Sequence, residues 1–220
     1  MSLGPLWLSV QLAAVTMLLL LVIATPLGWW LAKSKSKLRP AVQAIVALPI
    51  VLPPTVLGFY LLILLGPAGA IGGWWLSLTG NALTFSFAGL VIASRVYSLP
   101  FAVQPIMSAF ESVPKGELEA ARTLGASPRD AFFSVALPQS MRGYLNAAVL
   151  SFAHTLGEFG VVLMVGGNIP GETRVISIDI YDKVESLNYT AAHQLSATLL
   201  VFAFLVLLAM FVVNRRWRQS

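Results

Sequence analysis

Two ionisable residues stand deep inside apolar stretches and are the first candidates for chemistry: Arg95 in SRVYSLPFAV and Glu158 in HTLGEFG. A charge inside a membrane is costly and normally faces a partner or a water-filled path. Arg95 precedes Glu111 by 16 residues and Glu158 follows Arg142 by 16. At about 1.5 Å per residue, both then lie roughly 24 Å from the same surface, on consecutive antiparallel segments. The preferred reading is a structural Arg95–Glu158 ion pair; in the other, Arg95 faces the path of an anionic substrate. His154 precedes Glu158 by four residues and can share its face, but no third ligand stands near, so no metal site is expected. The chain has no cysteine, which excludes disulfides, thiolate sites and thiol nucleophiles. There is no Gly-Lys dipeptide for a phosphate-binding Walker loop. Neither Gly-x-Ser-x-Gly nor His-Glu-x-x-His occurs. No catalytic residue is assigned, and no cofactor is expected on this chain.

The elements that must hold these residues are membrane helices. Of 220 residues, 57% are hydrophobic and 10% charged, against roughly 25% charged in soluble domains. A soluble chain could not bury this much apolar surface. Five windows approach or exceed the about 20 apolar residues that cross a bilayer, at 6–32, 41–65, 83–110, 144–165 and 195–213. They form one all-α, polytopic domain over residues 1–220, and no internal repeat is evident. Lys33, Lys35, Lys37 and Arg39 fall in the first link, Lys115, Arg122, Arg129 and Arg142 in the third, and Arg215, Arg216 and Arg218 at the C-terminus. The opposite links hold only Arg174 and Lys183. The positive-inside rule therefore puts the N-terminus outside and the C-terminus in the cytoplasm. All six tryptophans lie near span ends, as an interfacial belt requires. The net charge of +5 thus reports topology, and no nucleic-acid partner is expected.

Within this frame three stretches stand out. Residues 115–139, KGELEAARTLGASPRDAFFSVALPQ, are polar and cytoplasmic and read as two short helices. Gly125 suits the left-handed position that ends the first helix. Ser127-Pro128 is an N-cap followed by proline at N1, and Leu137-Pro138 is expected to end the second helix. Leu118, Ala121 and Leu124 form an apolar face on the first, and Phe132, Phe133 and Ala136 one on the second. The pair could lie on the bilayer or dock into another protein. In the second span, Pro49, Pro53 and Pro54 predict a kinked helix, either lining a pathway or only packing. Gly157, Gly160, Gly166 and Gly167 permit close helix approach around Glu158. The outer link 166–194 carries GNIPGETRV and a short helix over ISIDIYDKVESL.

The cytoplasmic stretch resembles the EAA loop of ABC importer permeases: Glu119-Ala120-Ala121, three residues, Gly125, nine residues, Val135, one residue, then Leu137-Pro138. The aliphatic position holds Val where Ile is commoner. LPIVLPPTVLGFYLL, YSLPFAVQPIMSAFESVP and 151–181 are similar to the molybdate permease branch, including 156–160 (LGEFG) and the run with Gly167, Asn168, Pro170, Gly171 and Thr173. His154 departs from that branch, where Arg or another polar residue is frequent.

The resemblance implies the type I ABC importer permease fold and a homodimer with the pathway between its subunits. It implies two copies of an ABC ATPase, which carries the ATP and Mg, attached at the cytoplasmic loop. A periplasmic or extracellular molybdate-binding protein would serve the other face. The implied function is ATP-driven import of molybdate, or tungstate, across the bacterial cytoplasmic membrane by alternating access. A sulfate or thiosulfate permease of the same architecture is the near rival. From another class, the rival is an ATP-independent channel or proton-coupled transporter with Glu158 as the proton carrier.

Overall fold

The structure is a computed structural model and describes residues 4–219. It is all-helical: no strand occurs among the described residues. The order is α1 (Gly4–Lys33), α2 (Arg39–Val51), α3 (Pro54–Leu65), α4 (Ala70–Thr79), α5 (Phe87–Ser112), α6 (Lys115–Thr123) and α7 (Pro128–Ala131). A π-helical turn (Phe132–Ala136) then leads to α8 (Leu137–Gln139), α9 (Met141–Leu156), α10 (Gly160–Gly166), α11 (Ile176–Glu185) and α12 (Tyr189–Gln219).

Among the described residues, α1, α5 and α12 (through Ala209) are each long and apolar enough to cross a bilayer alone. The other two expected spans are interrupted. α2 and α3 meet at 112°, and α9 and α10 at 63°, so there are five crossings if each bent pair counts as one. The first break is sharper than a kink. Leu52 and Pro53 are both extended (ψ 136° and 137°). Proline restricts the residue before it, and Pro53-Pro54 applies that restriction twice while removing two backbone donors. Single prolines do not stop helices here, since Pro26, Pro49, Pro100 and Pro105 all lie inside them. The third crossing also starts later than expected. The chain is turned at Phe85, whose φ is +59°, and Ser86 caps α5 by accepting from the Gly89 N–H at 3.2 Å.

α5 is the central helix, packed along α1 and α9. Its buried residues form two apolar zones. At one end Ala102, Val103, Ile106 and Phe110 join Leu20, Ala24 and Leu31 of α1 and Ala147 of α9. At the other, Leu90, Val91 and Ala93 pack on Leu12, Val161, Val162 and Val165. Contacts pin the two ends of the bundle. Lys33 Nζ donates to the Val113 carbonyl at 3.4 Å and Arg39 pairs with Glu111 at 2.5 Å, which gathers the basic first link and the start of the 115–139 segment. Opposite, Ser9 Oγ accepts from the Ile176 N–H at 2.8 Å, which joins the start of α1 to the 166–176 stretch.

Candidate functional site

Between the two apolar zones lies a polar layer. Glu158 sits in the break between α9 and α10 and is only 3% exposed. Its Oε2 accepts from Ser94 Oγ at 2.5 Å, and its backbone carbonyl accepts from Ser177 Oγ at 2.5 Å. Its Oε1 is buried without a hydrogen-bond partner. Four residues further along both antiparallel helices, Ser98 Oγ lies 2.9 Å from His154 Nδ1 and 2.9 Å from Thr155 Oγ1. The imidazole stacks on Phe101 (4.0 Å, 24°) and touches Tyr97 (4.7 Å).

The expected Arg95–Glu158 ion pair is not formed. Among the described residues the ion pairs join Arg39 to Glu111 and Lys183 to Asp179 and Asp182. Arg95 is half-buried, and its Nε turns back along α5 to the Val91 carbonyl at 3.3 Å. Direction around the helix decides the partner. Adjacent helical residues point about 100° apart, and fully buried Ser94 takes the direction of Glu158. Ser94 and Ser98 were missed as site residues. Their signal was available: two hydroxyls spaced i, i+4 within an apolar span mark a polar stripe. Replacing Glu158 by Gln keeps an acceptor for Ser94 and is expected to leave stability within about 1 kcal/mol, whereas Glu158→Leu leaves a buried hydroxyl unpaired, at about 1–3 kcal/mol. Thermal inactivation of the purified protein checks this; a Gln variant as labile as Leu would mean that the carboxyl itself is required.

The two broken helices meet at their breaks. A Cβ on Gly160 would lie 2.8 Å from Cβ of Pro54, and one on Gly58 would lie 2.8 Å from Cβ of Met164. The double-proline break and the glycine after Glu158, singled out separately in the sequence, are thus one notch. Pro49 is buried inside α2, away from that break. Irregular backbone at membrane depth is tolerated only where protein or a water-filled path surrounds it.

The outer signature run folds as a self-bonded turn. Buried Thr173 donates to the Gly166 carbonyl at 2.7 Å and accepts from the Ile169 N–H at 3.1 Å. Asn168 accepts from Arg174 Nε at 2.5 Å and donates to Asp182 at 3.2 Å. Gly167 and Gly171 have φ of +65° and +80° at its corners, around Pro170.

The cytoplasmic segment is built largely by local rules. α6 ends at Gly125, with φ +91°, whose N–H donates to the Arg122 carbonyl at 3.0 Å. Ser127 caps α7 in a capping box: Ser127 Oγ accepts from the Asp130 N–H at 3.2 Å, and Asp130 Oδ2 accepts from the Ser127 N–H at 3.1 Å. Ser127 Oγ also donates to Asp130 Oδ2 at 2.6 Å, and this bond first and the Ser127 N–H second hold the exposed Asp130 carboxyl below the usual carboxylate range, so the box persists at neutral pH and is lost as pH falls through that lowered value. Leu137-Pro138 does not stop the helix. The Leu137 N–H reaches back to Phe132 in a π turn, Pro138 enters α8, and the helical course is interrupted at Ser140. The wider turn relieves the clash of a proline ring with the preceding carbonyls.

The apolar faces also divide differently from expectation. Leu118 and Phe132 pack inward and Ala136 is buried. Leu124 and Phe133 are 89% and 64% exposed. Glu119 and Ala120 are exposed and Ala121 half-buried, and Gln139 donates from Nε2 to Glu117 Oε2, tying the two halves together. Val135, Leu137 and Pro138 lie where the π turn passes into α8.

An all-helical membrane bundle with two broken helices and an exposed, capped segment at one end is an architecture suited to a transporter membrane subunit. The chain belongs to the family described as binding-protein-dependent transport system inner membrane component, which it matches over residues 24–219. It is 52% identical over 214 residues to the molybdenum transport system permease protein ModB of Azotobacter vinelandii, covering 97% of this chain and 95% of that one. It is 36% identical to ModB of Escherichia coli K12 over 186 residues (83% and 81% covered). Sulfate transport system permease protein CysT of the same strain is 30% identical over 191 residues (87% and 69%). The fold matches a bacterial ABC transporter involved in import of the acidic polysaccharide alginate (TM-score 0.78, 19% identity, 97% and 79% covered). It also matches the inward-facing MetNI methionine ABC transporter (TM-score 0.72, 20% identity, 96% and 94%). The fold is that of type I ABC importer permeases.

Proposed function

We propose that this chain is the membrane-spanning subunit of an ATP-driven importer of molybdate in the bacterial cytoplasmic membrane, working by alternating access. The observation that carries the mechanism is the 115–139 segment, a pair of short capped helices presenting Leu124 and Phe133 to the outside at the basic, cytoplasmic end. A rigid element with an uncovered apolar face suits docking on a partner that moves it as a body. That partner is an ABC ATPase subunit, since this chain has no Gly-Lys dipeptide for a Walker loop of its own. Two permease copies enclose the pathway, and a binding protein delivers the oxyanion at the opposite face. Molybdate as cargo rests on the similarity to the Azotobacter and Escherichia proteins.

In this cycle ATP binding closes the ATPase pair, the docked segments approach, and the permease opens outward. Hydrolysis returns it to the inward-facing state. The broken helices meeting at Pro54 and Gly160 supply backbone that can line the path, with the Glu158 layer beside it.

The test is purification followed by reconstitution. A soluble Walker-containing subunit is expected to purify with this chain, and labelled molybdate uptake by proteoliposomes is expected to require ATP and molybdate-loaded binding protein. Uptake insensitive to ATP would sink this reading in favour of a channel or proton-coupled transporter. ATP-dependent uptake of sulfate but not molybdate would reassign the cargo.

A further inference from the structure

The segment has two adjacent aromatic rings, packed edge-on on each other at 5.1 Å and 84°, and they differ in exposure. Phe133 faces out, whereas Phe132 is wedged against two rings from two other helices. It meets Trp29 of α1 edge-on at 5.0 Å and 78°, and Phe110 of α5 at 5.7 Å and 46°. Trp29 and Phe110 also meet each other edge-on at 5.1 Å and 82°, so the three rings close a triangle. Phe110 is fully buried and continues to Tyr144 of α9 at 6.0 Å, whose hydroxyl donates to Thr25 Oγ1 of α1 at 2.8 Å. Lys33 Nζ lies 5.7 Å from the outer face of the Trp29 ring.

This cluster joins parts that the chain itself leaves apart. α5 and α9 flank the segment in sequence and are linked to it by backbone. α1 is not: α2 to α5 intervene, so displacement of the segment reaches α1 only through side chains. Regular helix is broken for one residue at Ser140, which is fully buried and keeps backbone hydrogen bonds on both sides, from its N–H to the Ala136 carbonyl at 3.1 Å and from the Gly143 N–H to its carbonyl at 2.8 Å. The interdigitated rings add a direct side-chain route from the segment to α1, because packed aromatic interiors shift between discrete arrangements rather than deforming freely. The π turn contributes, since such turns interrupt regular helices at functional positions. Here it spans Phe132–Ala136, with Phe132 inward and Phe133 outward at its start.

We propose that Phe132 is a positioning residue for transport. Packed between Trp29 and Phe110, it makes α1 follow the cytoplasmic segment, so that movement of the segment opens the pathway. The inference rests on the reading of the segment as the ATPase dock, and the two are separable by experiment.

The test uses the reconstituted complex with Phe132→Ala, Phe132→Leu and Trp29→Leu. Four quantities are measured: ATPase subunit retained, ATP hydrolysed, molybdate taken up per ATP, and displacement of α1. The chain has no cysteine, so a nitroxide on Lys35→Cys, an exposed position just past α1, reports the distance between the two copies with and without trapped nucleotide. Phe132→Ala is expected to keep its ATPase subunit and hydrolysis within about twofold while uptake per ATP falls about tenfold or more and the nucleotide-dependent shift of α1 disappears. Trp29→Leu should do the same, and the double variant should be no worse than either single one. Phe132→Leu, which keeps apolar bulk, is expected to lose about threefold in uptake per ATP and decides the matter if the alanine variant fails to assemble. Unchanged uptake per ATP with an intact α1 shift overturns the proposal. So does loss of the ATPase subunit from Phe132→Ala with its fold intact, which would make Phe132 part of the dock. A wild-type chain that holds no ATPase overturns the docking reading and this inference with it.

Discussion

Phe133→Asp is expected to strip the ATPase subunit from the permease while leaving the permease itself folded. The ring is 64% exposed and its ring contact is the edge-on one with Phe132 at 5.1 Å, so the isolated chain is expected to lose no more than about 1 kcal/mol. In the docked complex proposed above, the same position serves as an aromatic anchor. Truncating an anchor of this kind costs about 2–4 kcal/mol, and a carboxylate left unpaired in the interface costs more. A loss of about 3–4 kcal/mol is a weakening of roughly 10²- to 10³-fold. Leu124→Asp, at 89% exposure, should act in the same direction. Size-exclusion profiles and retained ATPase stoichiometry measure the effect, with thermal inactivation of the permease alone as the control. A variant that binds its ATPase and transports normally removes Phe133 from the dock.

Gly160→Leu is expected to abolish transport without dislodging the ATPase. Even the first added carbon would lie 2.8 Å from Cβ of Pro54 and 3.6 Å from its carbonyl carbon. A proline ring cannot rotate aside, so α3 and α10 must separate. Overpacking of this kind costs about 1–3 kcal/mol and moves backbone. Gly160→Ala should show a milder form, measured as lower thermal stability and slower uptake. The discriminating variant is the double one. Pro54→Gly removes the opposing Cβ, so Gly160→Ala with Pro54→Gly should recover more than additivity allows, with a coupling of about 1 kcal/mol or more. Strict additivity would show that the two breaks do not bear on each other.

Much of the cytoplasmic segment was legible before any coordinates, because its devices act over three or four residues. Gly125 at positive φ and the Ser127–Asp130 box lie where local rules put them. At Leu137-Pro138 local rules predict a stop, but a π turn accommodates the proline within a helical course. Likewise Pro53-Pro54 promised a kink, whereas two successive extended residues produce a bend of 112°.

Composition and spacing alone establish that this is a membrane protein, how its basic links are distributed, and where along the chain a capped polar segment falls. Each depends on composition, on counting residues along a helix axis, or on contacts with near neighbours. Only the tertiary structure decided which way each helix is turned. It gave Glu158 to Ser94 rather than Arg95, brought Pro54 onto Gly160, and sent Phe132 inward while leaving Phe133 outside. Axial position accumulates at a constant rise per residue and can be read from spacing. Rotation about the axis is set by packing against helices distant in sequence, where the apolar membrane gives little preference of its own.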